Sequence, residues 1–217
     1  MRPGRYALYG GTFDPFHAGH LAVARSVRDA GLVDDVLIVP AGSPPHRGLT
    51  RASAEERWCM AVLATVEEPG LRVVRWETER APEGPTYAVD TLQLARETLG
   101  AEAELWWVIG ADALRALGSW HRLPELLQEA RFLVVPRDGE DAAWLARWLA
   151  RELPDVPASR FVFLPMPPVA VSSTALRERL AEGAPAAGSL PPLVAAHIRR
   201  YGLYVGHRKD LPEEAAR

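Results

Sequence analysis

Apolar residues follow two alternating patterns along this chain. Short β-rich runs recur at Tyr6–Tyr9, Val36–Val39, Arg72–Trp76, Leu105–Ile109, Phe132–Val135 and Phe161–Leu164, all but Arg72–Trp76 almost wholly apolar. They have strand length, and the apolar ones lack a polar face, as expected for parallel strands covered on both sides. Between them lie longer segments with apolar residues at helical spacing: Gly19–Ala30, a segment opening at Ser53, Tyr87–Leu99, Ala142–Glu152, Thr174–Glu182 and Pro191–Tyr201. The punctuation agrees. Pro40 and Gly42 close the second strand, Pro136 stops the fifth, Gly100 and Gly183 end helices, and Ser53-x-x-Glu56 reads as a capping box. Trp144 and Trp148 are spaced for one helix face and read as core or surface filler. His197 reads as a helix residue without chemistry, and His207 as a tail residue.

Strands alternating with helices imply a parallel sheet with right-handed crossovers. The expected architecture is a Rossmann-like α/β fold of about five to six strands, with helices on both faces and a short helical C-terminal part. No internal repeat is visible. Gly183–Pro192, rich in Pro, Ala and Gly, is a connector, since one helix alone follows it. Residues 1–204 therefore read as a single domain and 205–217 as a polar tail. Ligands of such sheets bind beyond the carboxyl ends of the strands, which directs attention to the loops after strands one, two, four and six.

Composition narrows the chemistry. The net charge of −3 argues against a sequence-independent nucleic-acid surface, and no apolar run approaches the roughly 18 residues of a membrane span. The amino terminus lacks the apolar stretch of a signal peptide. Cys59 is the single cysteine, which excludes a disulfide scaffold and a cysteine-built zinc site and suits a reducing cytoplasm. Of 25 basic residues, Lys209 is the one lysine, so chemistry that needs a buried lysine is not expected. Phosphates, if handled, must be met by arginine, histidine and backbone amides. There is no asparagine, and glutamine occurs only at Gln93 and Gln128. Codon bias accounts for this, with avoidance of heat-labile side chains as a second reading.

The loop after strand one reads Gly10-Gly11-Thr12-Phe13-Asp14-Pro15-Phe16-His17-Ala18-Gly19-His20. Two glycines allow the backbone to approach another group without an intervening Cβ, and the helix start that follows is a natural anion site. His17 and His20, three apart at that start, can face one anion. Two imidazoles with free amides suit an oxyanion clamp better than a metal site, which would more often pair histidines four apart with a third ligand. No protein metal site is expected.

This segment is similar to the signature of the His-x-Gly-His nucleotidylyltransferases, and in this version it resembles the bacterial nicotinate-nucleotide adenylyltransferases. The resemblance extends along most of the chain, through Pro44-Pro45-His46-Arg47, Thr86-Tyr87 with Asp90-Thr91-Leu92, Ile109-Gly110-Ala111-Asp112, Trp120, Val171-Ser172-Ser173-Thr174-Ala175-Leu176-Arg177 and Gly202-Leu203-Tyr204. Val171 stands where the family usually has isoleucine. The resemblance implies adenylyl transfer from ATP, accompanied by Mg²⁺, to nicotinate mononucleotide, giving deamido-NAD and pyrophosphate. The attacking phosphate is already an anion, so no activated side-chain nucleophile is required. Alignment and charge stabilisation carry the reaction.

On that reading His17, His20 and Arg177 are the catalytic candidates. Gly10, Gly11, Thr12, Phe13, Gly110, Asp112, Ser172, Ser173 and Thr174 form the ATP and phosphate set, with Asp112 reaching a ribose hydroxyl. His46, Arg47, Thr86, Tyr87, Trp120 and His121 form the mononucleotide set. Within it, Trp120 resembles a family tryptophan that stacks on the pyridine ring, and amides near Thr86 and His121 meet the nicotinate carboxylate. Amide donors favour an acid over a carboxamide. The partners expected are these two small molecules, with no nucleic acid and no membrane, and the sequence is compatible with a homo-oligomer.

Three alternatives remain at this level. Another nucleotidylyltransferase, such as a phosphopantetheine adenylyltransferase or a cytidylyltransferase, would share the fold. A silent nucleotide-binding module would not need His17, His20 and Arg177 together. A fragment of a class I aminoacyl-tRNA synthetase would need lysines in its second signature.

Overall fold

A computed structural model describes residues 4–44, 50–81, 84–136, 142–166 and 171–205. His46, Arg47, His207 and the tail from residue 206 lie outside them. Six strands form one parallel sheet: β1 (Arg5–Gly11), β2 (Asp35–Pro40), β3 (Leu71–Val73), β4 (Glu104–Gly110), β5 (Arg131–Val135) and β6 (Phe161–Phe163), in the order β3-β2-β1-β4-β5-β6. The helices are α1 (Ala18–Asp29), α2 (Ala54–Thr65), α3 (Ala88–Leu99), α4 (Ala111–Arg115), α5 (Leu123–Glu129), α6 (Ala142–Glu152), α7 (Ser173–Ala181) and α8 (Pro192–Tyr201). No helix among the described residues is long and apolar enough to cross a membrane.

Side chains alternate across the sheet, so each strand feeds two cores. Ala7, Val36, Ile38, Trp106, Val108 and Leu133 pack with residues of α1, α2, α7 and α8 on one face. Leu8, Leu105, Trp107, Ile109, Phe132 and Val134 pack with residues of α3, α4, α5 and α6 on the other. Both faces are covered, which is why the strands read as continuous apolar runs. All six predicted strands are present, as is each predicted helix.

The differences have local causes. The third strand, expected over Arg72–Trp76, ends at Val73. The backbone then turns, with Glu79 and Arg80 N–H groups donating to the Arg75 and Glu77 carbonyls, and this turn carries Glu77 inward. Helices α4 and α5 leave no periodic signature because they are short, five and seven residues. Half of the capping box at α2 forms: Ser53 Oγ accepts from Glu56 N–H at 3.1 Å. The Glu56 carboxylate instead lies 2.6 Å from His197 Nε2, tying α8 to α2. Among the described side chains of α6, Leu145 and Leu149 are buried. Trp148 packs beside them, whereas Trp144 is 44% exposed with the Arg115 guanidinium over its ring.

The register of β1 and β4 positions the site. They pair from Arg5↔Glu104 to Leu8↔Trp107 and then part. Residues 9–11 of β1 stay with β2, ending at Gly11↔Pro40, while residues 108–110 of β4 stay with β5, ending at Gly110↔Val135. The strand order reverses between these two strands, so the split opens a crevice at the topological switch point of the sheet. Its walls end in Gly10-Gly11 on one side and Gly110 on the other.

Candidate active site

The loop after β1 folds back on itself. Phe13 adopts a left-handed backbone conformation, φ 52°, and its buried ring packs against Tyr9, Phe16 and His20, with centroids 5.4, 5.0 and 4.9 Å away. A Cβ on Gly11 would stand 2.6 Å from that ring, and one on Gly10 would stand 3.1 Å from the Trp107 ring. A side chain at Gly11 would force the Phe13 ring to move, and one at Gly10 would crowd the Trp107 ring. That constraint comes from packing inside the fold, a cause the sequence alone does not reveal. Asp14–Pro15 is a cis peptide.

His17 and His20 open α1 as a reciprocal cap. His17 Nδ1 accepts from the His20 N–H and His20 Nδ1 accepts from the His17 N–H, each at 3.3 Å. The rings stack 3.6 Å apart. A nitrogen that accepts from an amide carries no proton, so the hydrogen of each neutral ring sits on Nε2. Each imidazole is therefore set as an Nε2–H donor. The helix start also holds fewer open amides than its sequence suggests, because Ala18 N–H donates to the Ser189 carbonyl at 2.9 Å.

Helix α7 docks against this loop. Arg177 Nη1 donates to the Asp14 carbonyl at 2.7 Å and Nη2 to Thr174 Oγ1 at 3.2 Å. Ser173 Oγ approaches the Pro15 carbonyl at 3.5 Å, and Ser172 caps the helix by accepting from Ala175 N–H. Arg177 and the α7 start thus sit on the residues that immediately precede His17. The structure brings together the first loop, His17, His20 and the Ser172–Arg177 segment. Gly110 caps α4, and the Asp112 carboxylate is exposed, 3.5 Å from Arg115 Nη1.

A second group gathers at the start of α3. The rings of Tyr87 and His121 meet at 4.4 Å, and Trp120 stands edge-on to Trp107, 6.5 Å away. Through Trp107 this cluster reaches Gly10, on the crevice wall. Thr86, Tyr87, Trp120 and His121 are therefore neighbours, although more than thirty residues separate the two pairs in sequence.

Four residues without a role predicted from sequence hold the loops together. Asp14 is buried, and its carboxylate accepts from Arg51 N–H (2.8 Å), Ala52 N–H (3.1 Å) and Tyr204 Oη (2.6 Å). Burial, then the bond to Asp14, pushes the Tyr204 phenol far above its usual range, so it stays a donor. Arg57, 1% exposed, donates to the carbonyls of Thr12 (2.8 Å) and Gly42 (2.9 Å), bridging the loops after β1 and β2. Burial lowers its pKa, against the opposing pull of Asp14, Tyr204 and Glu77. Glu77 accepts from Thr86 Oγ1 at 2.6 Å and Thr91 Oγ1 at 2.7 Å. A signal for Arg57 exists: it shares the stripe of Met60, Ala61 and Ala64 on α2, an arginine at an apolar position. For Glu77 there is no local pattern.

A family model described as cytidylyltransferase-like matches residues 8–179. A "probable nicotinate-nucleotide adenylyltransferase" of Laribacter hongkongensis is 42% identical over 206 residues, covering 91% of this chain and 93% of the relative. The chain belongs to the nicotinate-nucleotide adenylyltransferase family. A relative of the same description from Stenotrophomonas maltophilia is 42% identical over 90% of this chain and 95% of its own. Among solved structures, the Plasmodium falciparum nicotinic acid mononucleotide adenylyltransferase complexed with NaAD superposes with a TM-score of 0.75. It is 18% identical and covers 93% of this chain and 97% of its own, which establishes the shared Rossmann-like fold.

Proposed function

We propose that this chain transfers the adenylyl group of ATP to nicotinate mononucleotide, forming deamido-NAD and pyrophosphate in NAD biosynthesis. The observation that carries this reading is the crevice between β1 and β4, with the His17/His20 pair on one loop and Arg177 docked on that same loop. Sequence kinship to enzymes of that name selects the substrates.

The chemistry follows from the donors. A phosphate oxygen of the mononucleotide attacks the α-phosphorus of ATP. The bond from that phosphorus to the oxygen bridging the α- and β-phosphates breaks, and pyrophosphate leaves with both electrons. Charge grows on the α-phosphate oxygens and on the leaving group. Imidazole Nε2–H groups and a guanidinium supply hydrogen bonds there without reorganisation at the moment of reaction. Mg²⁺ enters with ATP, bound to its phosphates. Gly10, Gly11, Thr12, Phe13, Gly110, Asp112, Ser172, Ser173 and Thr174 line the ATP side in this reading, and Thr86, Tyr87, Trp120 and His121 the mononucleotide side. His46 and Arg47 are proposed for the mononucleotide phosphate or the pyrophosphate. The reaction is proposed to take place in the cytoplasm.

The test is pyrophosphate release with ATP, Mg²⁺ and either the acid or the amide mononucleotide. Turnover is expected with the acid and to be slower with the amide. Turnover with phosphopantetheine and neither pyridine mononucleotide would overturn the substrate assignment. In the same assay Trp120→Ala is expected to raise the KM for the mononucleotide by about tenfold, a stacking contribution of order 1 kcal/mol, and to leave the KM for ATP within about twofold. Equal changes in both would make Trp120 a packing residue.

A further inference from the structure

Glu77 is buried, lies in the irregular stretch between β3 and α3, and takes no part in the transfer derived above. Each carboxylate oxygen has its own hydroxyl donor: Thr86 on one, Thr91 on the other. The backbone at Glu77 also meets the loop after β2. A Cβ on Gly42 would stand 2.0 Å from the Glu77 carbonyl oxygen, so main chain packs on main chain at that point. The Gly42 carbonyl in turn receives Arg57. One acid thus fixes three segments: the turn 75–80, the start of the second loop, and the approach to α3 that carries Thr86 and Tyr87.

The arrangement is more than a helix cap. Thr91 lies inside the first turns of α3, and a carboxylate serving the helix alone would need only that bond. The second bond turns the Thr86 hydroxyl inward and commits it to the protein. What Thr86 can then offer a ligand is backbone, whose direction is set by where its side chain is held. Tyr87, the next residue, meets His121 ring to ring, so the same restraint passes to the Trp120-His121 loop.

We infer that Glu77 is a positioning residue for the pyridine end of the acid mononucleotide, acting through its bond to the Thr86 hydroxyl to set affinity for that substrate and the preference for a carboxylate over a carboxamide. The inference rests on the function proposed above. Burial raises the Glu77 pKa, while the two hydroxyls, the Gly42 amide and Arg57 favour its charged form. The two hydroxyl donors, one on each oxygen, hold the side chain in a single orientation.

Steady-state kinetics with both mononucleotides decides it. Glu77→Gln, close to isosteric, is expected to raise the KM for the acid mononucleotide about tenfold, leave the KM for ATP within about twofold, and lower the acid-to-amide ratio of kcat/KM about fivefold or more. Thr86→Val, which removes only the hydroxyl, should shift the ratio the same way. The double variant should shift the ratio no further than Glu77→Gln alone, because Thr86→Val acts only through the bond to Glu77. If Glu77→Gln does not fold, the ratio measured for Thr86→Val is decisive by itself. An active wild type whose ratio is unmoved in the variants, whatever their melting temperatures, or a parallel rise in the KM for ATP, overturns the inference alone. A wild type inert toward both mononucleotides overturns the proposed function and this inference with it.

Discussion

His20→Ala is expected to lower kcat by about 10²–10⁴, the loss typical of removing a preorganised donor to a developing anion. The variant should still fold. His20 contributes one of two mutual capping bonds at the start of α1, and losing one cap costs about 1 kcal/mol. For a domain of this size that is a fall of about 2–4 °C in melting temperature. The separation of the two effects is what makes the experiment informative. A donor that acts on the α-phosphate in the transition state changes kcat and kcat/KM together and leaves KM little altered. His17→Ala makes the contrast, because His17 is the N-cap itself and is buried, so its loss should cost more stability. Single-turnover rates of His20→Ala within about threefold of wild type would remove His20 from the chemistry and leave it as a cap.

The second large effect is on stability. Arg57→Met is expected to destabilise the fold by about 3–5 kcal/mol, the range for removing one partner from a buried charged network. That corresponds to a melting temperature about 6–20 °C lower. Two opposed terms set the size. Burying a guanidinium costs several kcal/mol, and its Nε has no hydrogen-bond partner among the described residues. Its two remaining arms, however, satisfy the carbonyls of Thr12 and Gly42, and no methionine can do so. Two buried acceptors would be left unpaired, and Asp14 and Glu77 would lose the attraction of a nearby guanidinium. Arg57→Lys should recover little, since a point charge cannot span two carbonyls held by a planar fork. Urea denaturation at constant m-value reads the effect. A loss below about 1 kcal/mol would mean that desolvation cancels the bridging bonds.

The catalytic loop is legible in the sequence because its parts are contiguous. Glycines, histidines and the start of the following helix lie within eleven residues, and their order alone places them at the end of a strand. The six strands are legible for a related reason: a sheet covered on both faces leaves a continuous apolar run. The bracing of the site shows in the sequence only as an arginine at an apolar position of α2, and its contacts do not show at all. Arg57, Glu77 and Tyr204 meet their partners across 45, 14 and 190 residues, and nothing local encodes a contact at that separation. The meaning of Gly10 and Gly11 is likewise hidden, since the rings that a Cβ would crowd come from Trp107 and from a backward fold of Phe13. Helices α4 and α5 are too brief to show a period. Family resemblance supplies Trp120 and Thr86 where residue chemistry alone would pass over them.

The bond from Tyr204 to Asp14 also bears on the order in which a newly made molecule becomes competent. Strands and helices can condense as they leave the ribosome, but the phenol that secures the first loop is translated some 190 residues after the carboxylate it grips. Such a long-range closure is slow to form relative to local structure. During synthesis the loop bearing both imidazoles therefore waits, only partly braced, until the polypeptide beyond α8 has emerged.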